Sequence, residues 1–365
     1  MKIALAHDWF DVFGGAEKTV LAMAEMFPDA ELYTLLFDDY KFAEYFKPSK
    51  VHTSFLQKVP RAIQKHHRLL TPLIPKAIAS FDLNDFDLVL SSSSAFAKNV
   101  TVSPTTLHVT YCHTPMRFAW DYSQQYIKEL GYGKLKTALA KREVKKLRTW
   151  DLKGNSGVNV WLTNSKTTQE RIKRYYKKDS EVIYPPADLN GSFITKNRRD
   201  YYITLSTLTP YKKLELVIEA FAITGKTLFI IGDGPDRKRL EKLAPSNVKF
   251  AGFVEDKKKW ELIAAAQGLI FPQEEDFGLA PIDAMACGTP VLAFAKGGVL
   301  ETVEHKKSGV LFTKQTVRAI NRAVEVNEKL KYDRKAMRKH ALTFEKKHFQ
   351  KLLKKRLIQA VKERA

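Results

Sequence analysis

Two carboxylates, Glu275 and Asp283, stand eight residues apart in FPQEEDFGLAPIDAMACGTPVLAFAKGG, residues 271–298. The segment reads as the end of a strand, a loop, a helix and a second strand. The helix is expected to open at Phe277-Gly278-Leu279, with Gly288 and Pro290 marking its stop and the return to the sheet. Free N–H groups and the positive end of such a helix suit a phosphate or a polar sugar. Glu275 just ahead of it and Asp283 inside it can flank one ligand, one carboxylate taking sugar hydroxyls and the other ribose hydroxyls. The plain alternative is an ordinary strand–helix–strand unit with solvated acids. Lys212, in TLTPYK, follows another strand and can meet a diphosphate, where a cation also offsets charge developing on a leaving nucleotide. Its neighbour Lys213 is expected in solvent.

Further polar residues sit at other strand ends. Gly14-Gly15 opens a helix at Ala16-Glu17, but it is neither a full GxGxxG nor a Walker A loop. His113 closes the apolar run in YCHTP, a place where a structural histidine is common, and Arg117 and Asp121 follow it. That last pair could shape an acceptor site or form a plain ion pair. Asp85-Phe86-Asp87 has the spacing of a metal-binding D-x-D but precedes a buried run and reads as a turn. Cys112 and Cys287 lie in apolar runs with no CxxC, so neither a zinc site nor a disulfide framework is expected, and a reducing compartment fits.

The elements that must hold these residues alternate. Strands are expected over 2–8, 31–37, 88–94, 107–113 and 158–165, then over 201–208, 227–234, 248–254, 268–273, 290–297 and 309–313. Several are apolar throughout, as in parallel strands buried on both faces. Helical stretches such as KLELVIEAFAI and KKWELIAAAQ lie between them. The pattern predicts an α/β chain with two doubly wound, Rossmann-like parallel sheets. The expected division is 1–190, 191–345 and a closing amphipathic helix over 346–365 that packs back on the first domain, with a polar hinge over 188–200. Two such domains face to face would leave a cleft, with ligands at the carboxyl ends of the strands.

The chain has 365 residues and a formal net charge of +21, with 44% hydrophobic residues. That charge suits phosphorylated ligands, an anionic membrane surface or nucleic acid, and equally plain solubility. Basic amphipathic stretches over 55–81 and 133–150 and the closing helix fit a membrane surface as well as a solvated face. Without an RNA- or DNA-binding motif, no specific nucleic-acid partner is expected. MKIALAHDWF reads as a first strand, not a secretory signal, and no run reaches the ~18 apolar residues of a membrane span. The expected location is cytoplasmic, with peripheral association at the inner membrane face.

The segment 271–298 resembles the donor-site motif of retaining glycosyltransferases of family 4, E-x7-E followed by AMACGTPV. HDWFDVFGGAEKTVL, YCHTPMRFAWD, NSKTTQERI, VIYPPAD, PYKKLELVIEAF and IIGDGP are similar to further motifs of that family, in the same order. The resemblance implies the GT-B fold, and it is nearest to bacterial mannosyltransferases that use GDP-mannose. It implies that Gly14 and Gly15 lie against the donor diphosphate and the acceptor. His113 would lie near the transferred sugar. Lys212, Glu275, Phe277, Gly278, Leu279 and Asp283 would bind the donor. Asp256 would accept from guanine N1–H and N2–H2, a helix N-cap being the plain alternative. Two positions depart from the family: Thr207 stands where an Arg grips the phosphates, and Asp283 where a second Glu is usual. A catalytically weakened relative that binds nucleotide sugar or membrane is therefore an alternative, as are a UDP-sugar transferase and a nucleotide-sugar epimerase. The resemblance implies no cofactor and no metal, a nucleotide-sugar donor, and a glycan or polyprenyl-diphosphate-linked glycan as acceptor.

Overall fold

The computed structural model of the chain describes residues 1–64, 70–124, 127 and 133–364. Two compact units divide it: Met1–Pro186 with Phe349–Ala365, and Ala187–His348.

In the first unit the described strands are β1 (Ile3–His7), β2 (Glu31–Thr34), β3 (Val51–Thr53), β4 (Leu88–Ser93), β5 (Leu107–Cys112), β6 (Val160–Thr163) and β7 (Glu181–Val182). They form one sheet in the order β3-β2-β1-β4-β5-β6-β7, and each neighbouring pair is parallel. The central strands β4 and β5 are buried at every position, which is why their sequences carry no in–out alternation. β3 and β7 were not expected; they are short edge strands with polar or half-exposed residues.

One face of this sheet is closed from far along the chain. Phe349, Leu353, Leu357 and Ala360, on the helix Lys346–Arg364, are buried in the same cluster as Leu5, Phe10, Met23, Leu90 and Tyr111. Phe349 meets the Tyr111 ring edge-on at 5.6 Å. Gln350 Nε2 donates to Ala22 O at 2.9 Å, and Arg356 Nε to Glu181 Oε1 at 2.6 Å. Each large apolar side chain of that stripe contributes about 1.5–3 kcal/mol by burial.

The second unit has β8 (Tyr202–Leu205), β9 (Leu228–Ile231), β10 (Val248–Gly252), β11 (Gly268–Phe271), β12 (Val291–Phe294) and β13 (Gly309–Phe312). Their order is β10-β9-β8-β11-β12-β13, again all parallel. The polar stretch 188–200 is tied into this unit: Arg334 Nη1 donates to Thr195 O and Arg198 Nη2 to Ala266 O. In each sheet the strand order reverses beside the first strand, between β1 and β4 and between β8 and β11. That switch point is where open α/β sheets hold ligands.

Candidate functional site

At the switch point of the second unit, the loop after β8 carries Lys212 and the loop after β11 carries Glu275. Pro210–Lys212 forms a 3-10 turn, and Lys213, with φ of 56°, turns the chain into the helix Leu214–Thr224. The loop after β9 presses on the same place. Gly232 has φ of +124°, and a Cβ there would lie 2.0 Å from Ser206 O, so only glycine fits. Lys212 and Glu275, expected as separate ligand contacts, are joined directly by a salt bridge with Glu275 Oε1. The two side chains are only 11% and 22% exposed. Gln273 Nε2 also donates to that Oε1, at 3.0 Å. Burial works against the Lys212 ammonium, but the Glu275 charge and then Tyr211 outweigh it and raise its pKa above the ordinary lysine value. The lysine is therefore charged at neutral pH. Thr207, at the position of the family's arginine, is exposed.

Glu275 is held from behind by its own backbone. Gly298 N donates to Glu275 O at 2.9 Å, and Gly297, at φ of +82°, leaves no room for a Cβ against that carbonyl. The helix then runs Leu279–Ala286 with Gly278 as its N-cap, as the sequence suggested. Phe277 is buried, its ring 5.7 Å from Phe344. Asp283 lies inside the helix, its Oδ2 3.9 Å from Lys259 Nζ. The capping alternative for Asp256 is corrected: Glu255 is the N-cap of helix Asp256–Ala265, and Asp256 is its first residue. The Asp256 carboxylate is 85% exposed and pairs with Lys259 at 3.2 Å. Lys259 was missed in the sequence because it reads as one of three consecutive lysines.

The first unit has its own cluster at the β1/β4 switch. Asp8 is buried, and its carboxylate accepts four backbone N–H groups, from Ser94, Ala95, Phe96 and Ala97, at 2.6–2.8 Å. This residue too was missed, although HDWF contains it. Gly14 caps the helix Gly15–Met26, and its N–H donates to Glu17 Oε2 at 2.9 Å. Glu17 Oε1 lies 3.6 Å from His7 Nε2, while His7 Nδ1 donates to Ser92 O at 2.9 Å. His113 follows β5 directly. Its Nε2 pairs with Ser92 Oγ at 2.8 Å, its N–H donates to Ser93 O, and its carbonyl accepts from Asn164 Nδ2 and Thr168 Oγ1. Those groups are engaged within the unit. Asp121 pairs with Arg171 at 2.8 Å and not with Arg117. Arg117 Nε is buried with no hydrogen-bond partner among the described residues. Asp85 lies in a turn and Asp87 in a bend just ahead of β4, where Asp87 accepts from the Lys2 N–H at the amino ends of β1 and β4, away from the carboxyl ends of the strands. Among the described residues, no group of three or more His, Cys, Asp or Glu could hold a metal ion.

Buried histidines make this unit sensitive to acid. Burial pushes His108 down to about 4; burial, and then the nearby His7, push His113 down to about 3. Unfolded, each takes up a proton near 6.5. Their neutral burial therefore leaves stability intact above that pH and removes it as pH falls toward 4 and 3. At pH 5 the cost is about 2 kcal/mol for each. His7 shifts the other way. Burial lowers it, but Glu17, Asp8 and the Ser92 carbonyl raise it further, so its contribution is full below 6.5 and fades as pH rises through its folded value. Thermal unfolding followed from pH 7 to 5 should show a falling melting temperature, with a smaller fall in His108→Gln. A flat profile would contradict the burial of two neutral rings.

The basic helix Lys134–Gly154 is present, with Val144, Leu147 and Asp151 buried along one side. Of the basic stretch 55–81, residues 65–69 lie outside the described residues. On the closing helix, Lys347, Lys351, Lys354, Lys355 and Lys362 are exposed. Among the described residues, no helix is long and apolar enough to cross a membrane.

The two Rossmann-like parallel-sheet units are those of the GT-B fold, as the likeness to solved structures shows. Among solved structures the chain is similar to sucrose-phosphate synthase from Thermosynechococcus elongatus, at a TM-score of 0.74 and 16% identity over all of both chains. It is also similar to Anabaena HepE solved with UDP and glucose, at 0.70 and 19% identity over 98% of this chain and 100% of that one. Residues 190–343, which include Lys212, Glu275 and Asp283, match the family model described as glycosyl transferases group 1. The curated relatives include the alpha-1,3/1,6-mannosyltransferase ALG2 of Kluyveromyces lactis, 26% identical over 197 residues, 39% of each chain. Another is the N-acetyl-alpha-D-glucosaminyl L-malate synthase of Bacillus anthracis, 28% identical over 166 residues, 40% of this chain and 42% of that one. The matched segment spans about two fifths of the length of these relatives.

Proposed function

We propose that this chain is a retaining, metal-independent glycosyltransferase of family 4 that moves mannose from GDP-mannose to a glycan or polyprenyl-diphosphate-linked glycan. The observation that carries the proposal is the largely covered Lys212–Glu275 pair at the second switch point, with Asp283 eight residues on from Glu275, inside the segment that matches the group 1 model. In this reading Lys212 and the start of helix Leu279–Ala286 hold the diphosphate, Glu275 orients the sugar and Asp283 takes the ribose. The resemblance also assigns Gly14, Gly15 and His113, in the first unit, to donor and acceptor binding, and Arg117 and Asp121 to the acceptor side. Retention follows from a front-side displacement. The acceptor oxygen bonds to the anomeric carbon on the face from which the diphosphate leaves, and the acceptor proton passes to the leaving phosphate oxygen. Lys212 offsets the charge developing on that phosphate. The exposed lysines of the closing helix fit an anionic membrane surface at the inner face, each worth about 1 kcal/mol close to it.

A UDP-sugar donor is the second reading. Asp256, the residue that argued for guanine, is exposed and paired with Lys259, which leaves less to select GDP. Titration of the full chain with GDP-mannose, UDP-glucose and UDP-N-acetylglucosamine, in chelator, separates the readings. The expected result is selective binding or slow hydrolysis of GDP-mannose. Selectivity for a UDP-sugar would overturn the sugar and base. Failure to bind any donor would favour a weakened relative, for which Thr207 and Asp283 are the lesions.

A further inference from the structure

Three lysines in a row, Lys257, Lys258 and Lys259, lie on the first turn of helix Asp256–Ala265, and the third differs from the others. Lys258 is 60% exposed, whereas Lys259 is 14% exposed. Its ammonium lies 4.0 Å from the ring centroid of Trp260, 3.2 Å from Asp256 Oδ1 and 3.9 Å from Asp283 Oδ2. Trp260 is itself buried, its ring edge against Gly191, so the surface under the lysine is fixed. A lysine with no task on an exposed helix extends into water, since holding its stem costs rotamer entropy. Here the chain holds it beside the one carboxylate of the helix Leu279–Ala286.

We infer that Lys259 is a nucleotide-positioning residue: its ammonium orients the Asp283 carboxylate toward the ribose diol of a nucleoside diphosphate. The inference rests on the donor-binding reading above and deepens it. Asp283 is one methylene shorter than a glutamate, so its carboxylate reaches about 1.5 Å less far from the helix. An ammonium 3.9 Å from Oδ2 restricts how the carboxylate turns on its short side chain, and a carboxylate that accepts from both vicinal hydroxyls is a selective diol reader. The carboxylate, not the lysine, touches the ligand. Asp256, on the solvent side, competes for the same ammonium and keeps it from lying wholly on Asp283.

The test is calorimetric titration of the full chain with GDP and UDP and with their 2′,3′-dideoxy counterparts, for the wild type, Lys259→Met and Lys259→Arg. Whichever diphosphate the wild type binds should bind Lys259→Met about three- to thirtyfold more weakly. Lys259→Arg should recover most of the loss. The dideoxy compound should bind wild type and Lys259→Met alike, because the diol that Asp283 reads is gone; a merely structural lysine would weaken both ligands equally. Unchanged GDP or UDP binding in Lys259→Met overturns the inference, and so does an equal loss with the dideoxy ligand. A wild type that binds neither diphosphate overturns the donor-site reading itself, a result distinct from the other two.

Discussion

Glu275→Gln is expected to lower sugar transfer about 100- to 1000-fold while leaving nucleoside diphosphate binding intact or tighter. The split follows from the pair the carboxylate makes. In the unliganded protein Glu275 neutralises Lys212 in a site where both side chains are largely covered. Glutamine keeps the shape and the contact to Gln273 but removes that counter-charge. The lysine is then left with only a diphosphate to neutralise it, which favours nucleotide. What is lost is the acceptor for sugar hydroxyls, and with it the orientation of the anomeric carbon. Lys212→Met should differ, weakening nucleoside diphosphate binding by about ten- to a hundredfold, as for loss of a charge-assisted contact, and lowering transfer as well. Binding isotherms and transfer rates for the two variants check both halves. A Glu275→Gln protein that transfers sugar at the wild-type rate would remove Glu275 from the site.

The second large effect is on stability and lies in the first unit. Lys98 and Asp151 are both fully buried, with Nζ 2.8 Å from Oδ1. Asn99 Nδ2 donates to the same oxygen at 3.0 Å, and Trp120 Nε1 and the Tyr176 hydroxyl donate to Oδ2 at 2.9 and 2.7 Å. The lysine also donates to Ala95 O and lies under the Tyr176 ring. Asp151→Asn leaves the ammonium without a counter-ion in a dry site. Breaking a buried pair in this way costs about 3–5 kcal/mol. The melting temperature should fall by about 10 °C, read by calorimetry. Lys98→Met with Asp151→Leu, which removes both charges, should recover much of that loss. The contrast matters because Lys98 belongs to the loop 94–97 and its flank, the same loop whose amides Asp8 gathers. The buried pair fixes the floor of the first switch point.

How far the sequence revealed this depends on the range of the interaction. β4, β5, β11 and β12 were legible because short runs rich in apolar residues, without in–out alternation and bounded by turn residues, fit strands covered on both faces. The placement of Glu275 ahead of a helix start and of Asp283 inside that helix was legible because strand end, loop and helix follow one another within a few residues. The Lys212–Glu275 pair was not, since it joins positions 63 residues apart and each side chain alone reads as a ligand contact. Lys98 was hidden in AKN, where nothing local distinguishes a fully buried ammonium from a solvated one; its partner is 53 positions on in a helix read only as basic. Lys259 was hidden by its neighbours, because exposure, not residue type, sets it apart. β3 and β7 escaped notice because an edge strand of two or three residues needs no hydrophobic pattern of its own. His113 was read two ways, as a structural histidine from its place at a strand end and as a neighbour of the transferred sugar from the resemblance; several of its polar groups meet Ser92, Ser93, Asn164 and Thr168.

The helix Lys346–Arg364 has a consequence for biosynthesis. Its apolar stripe completes the core of the first unit, yet it is translated after the whole of Ala187–His348. As the chain leaves the ribosome, the first sheet must wait with one face uncovered around Leu5, Phe10, Met23 and Tyr111 while the second unit, continuous in sequence, can close at once. The part made first is thus the part finished last. During that interval its open face is a natural client surface for a chaperone, and a ribosome stalled before Phe349 would release a product with a sound second unit and an incomplete first one.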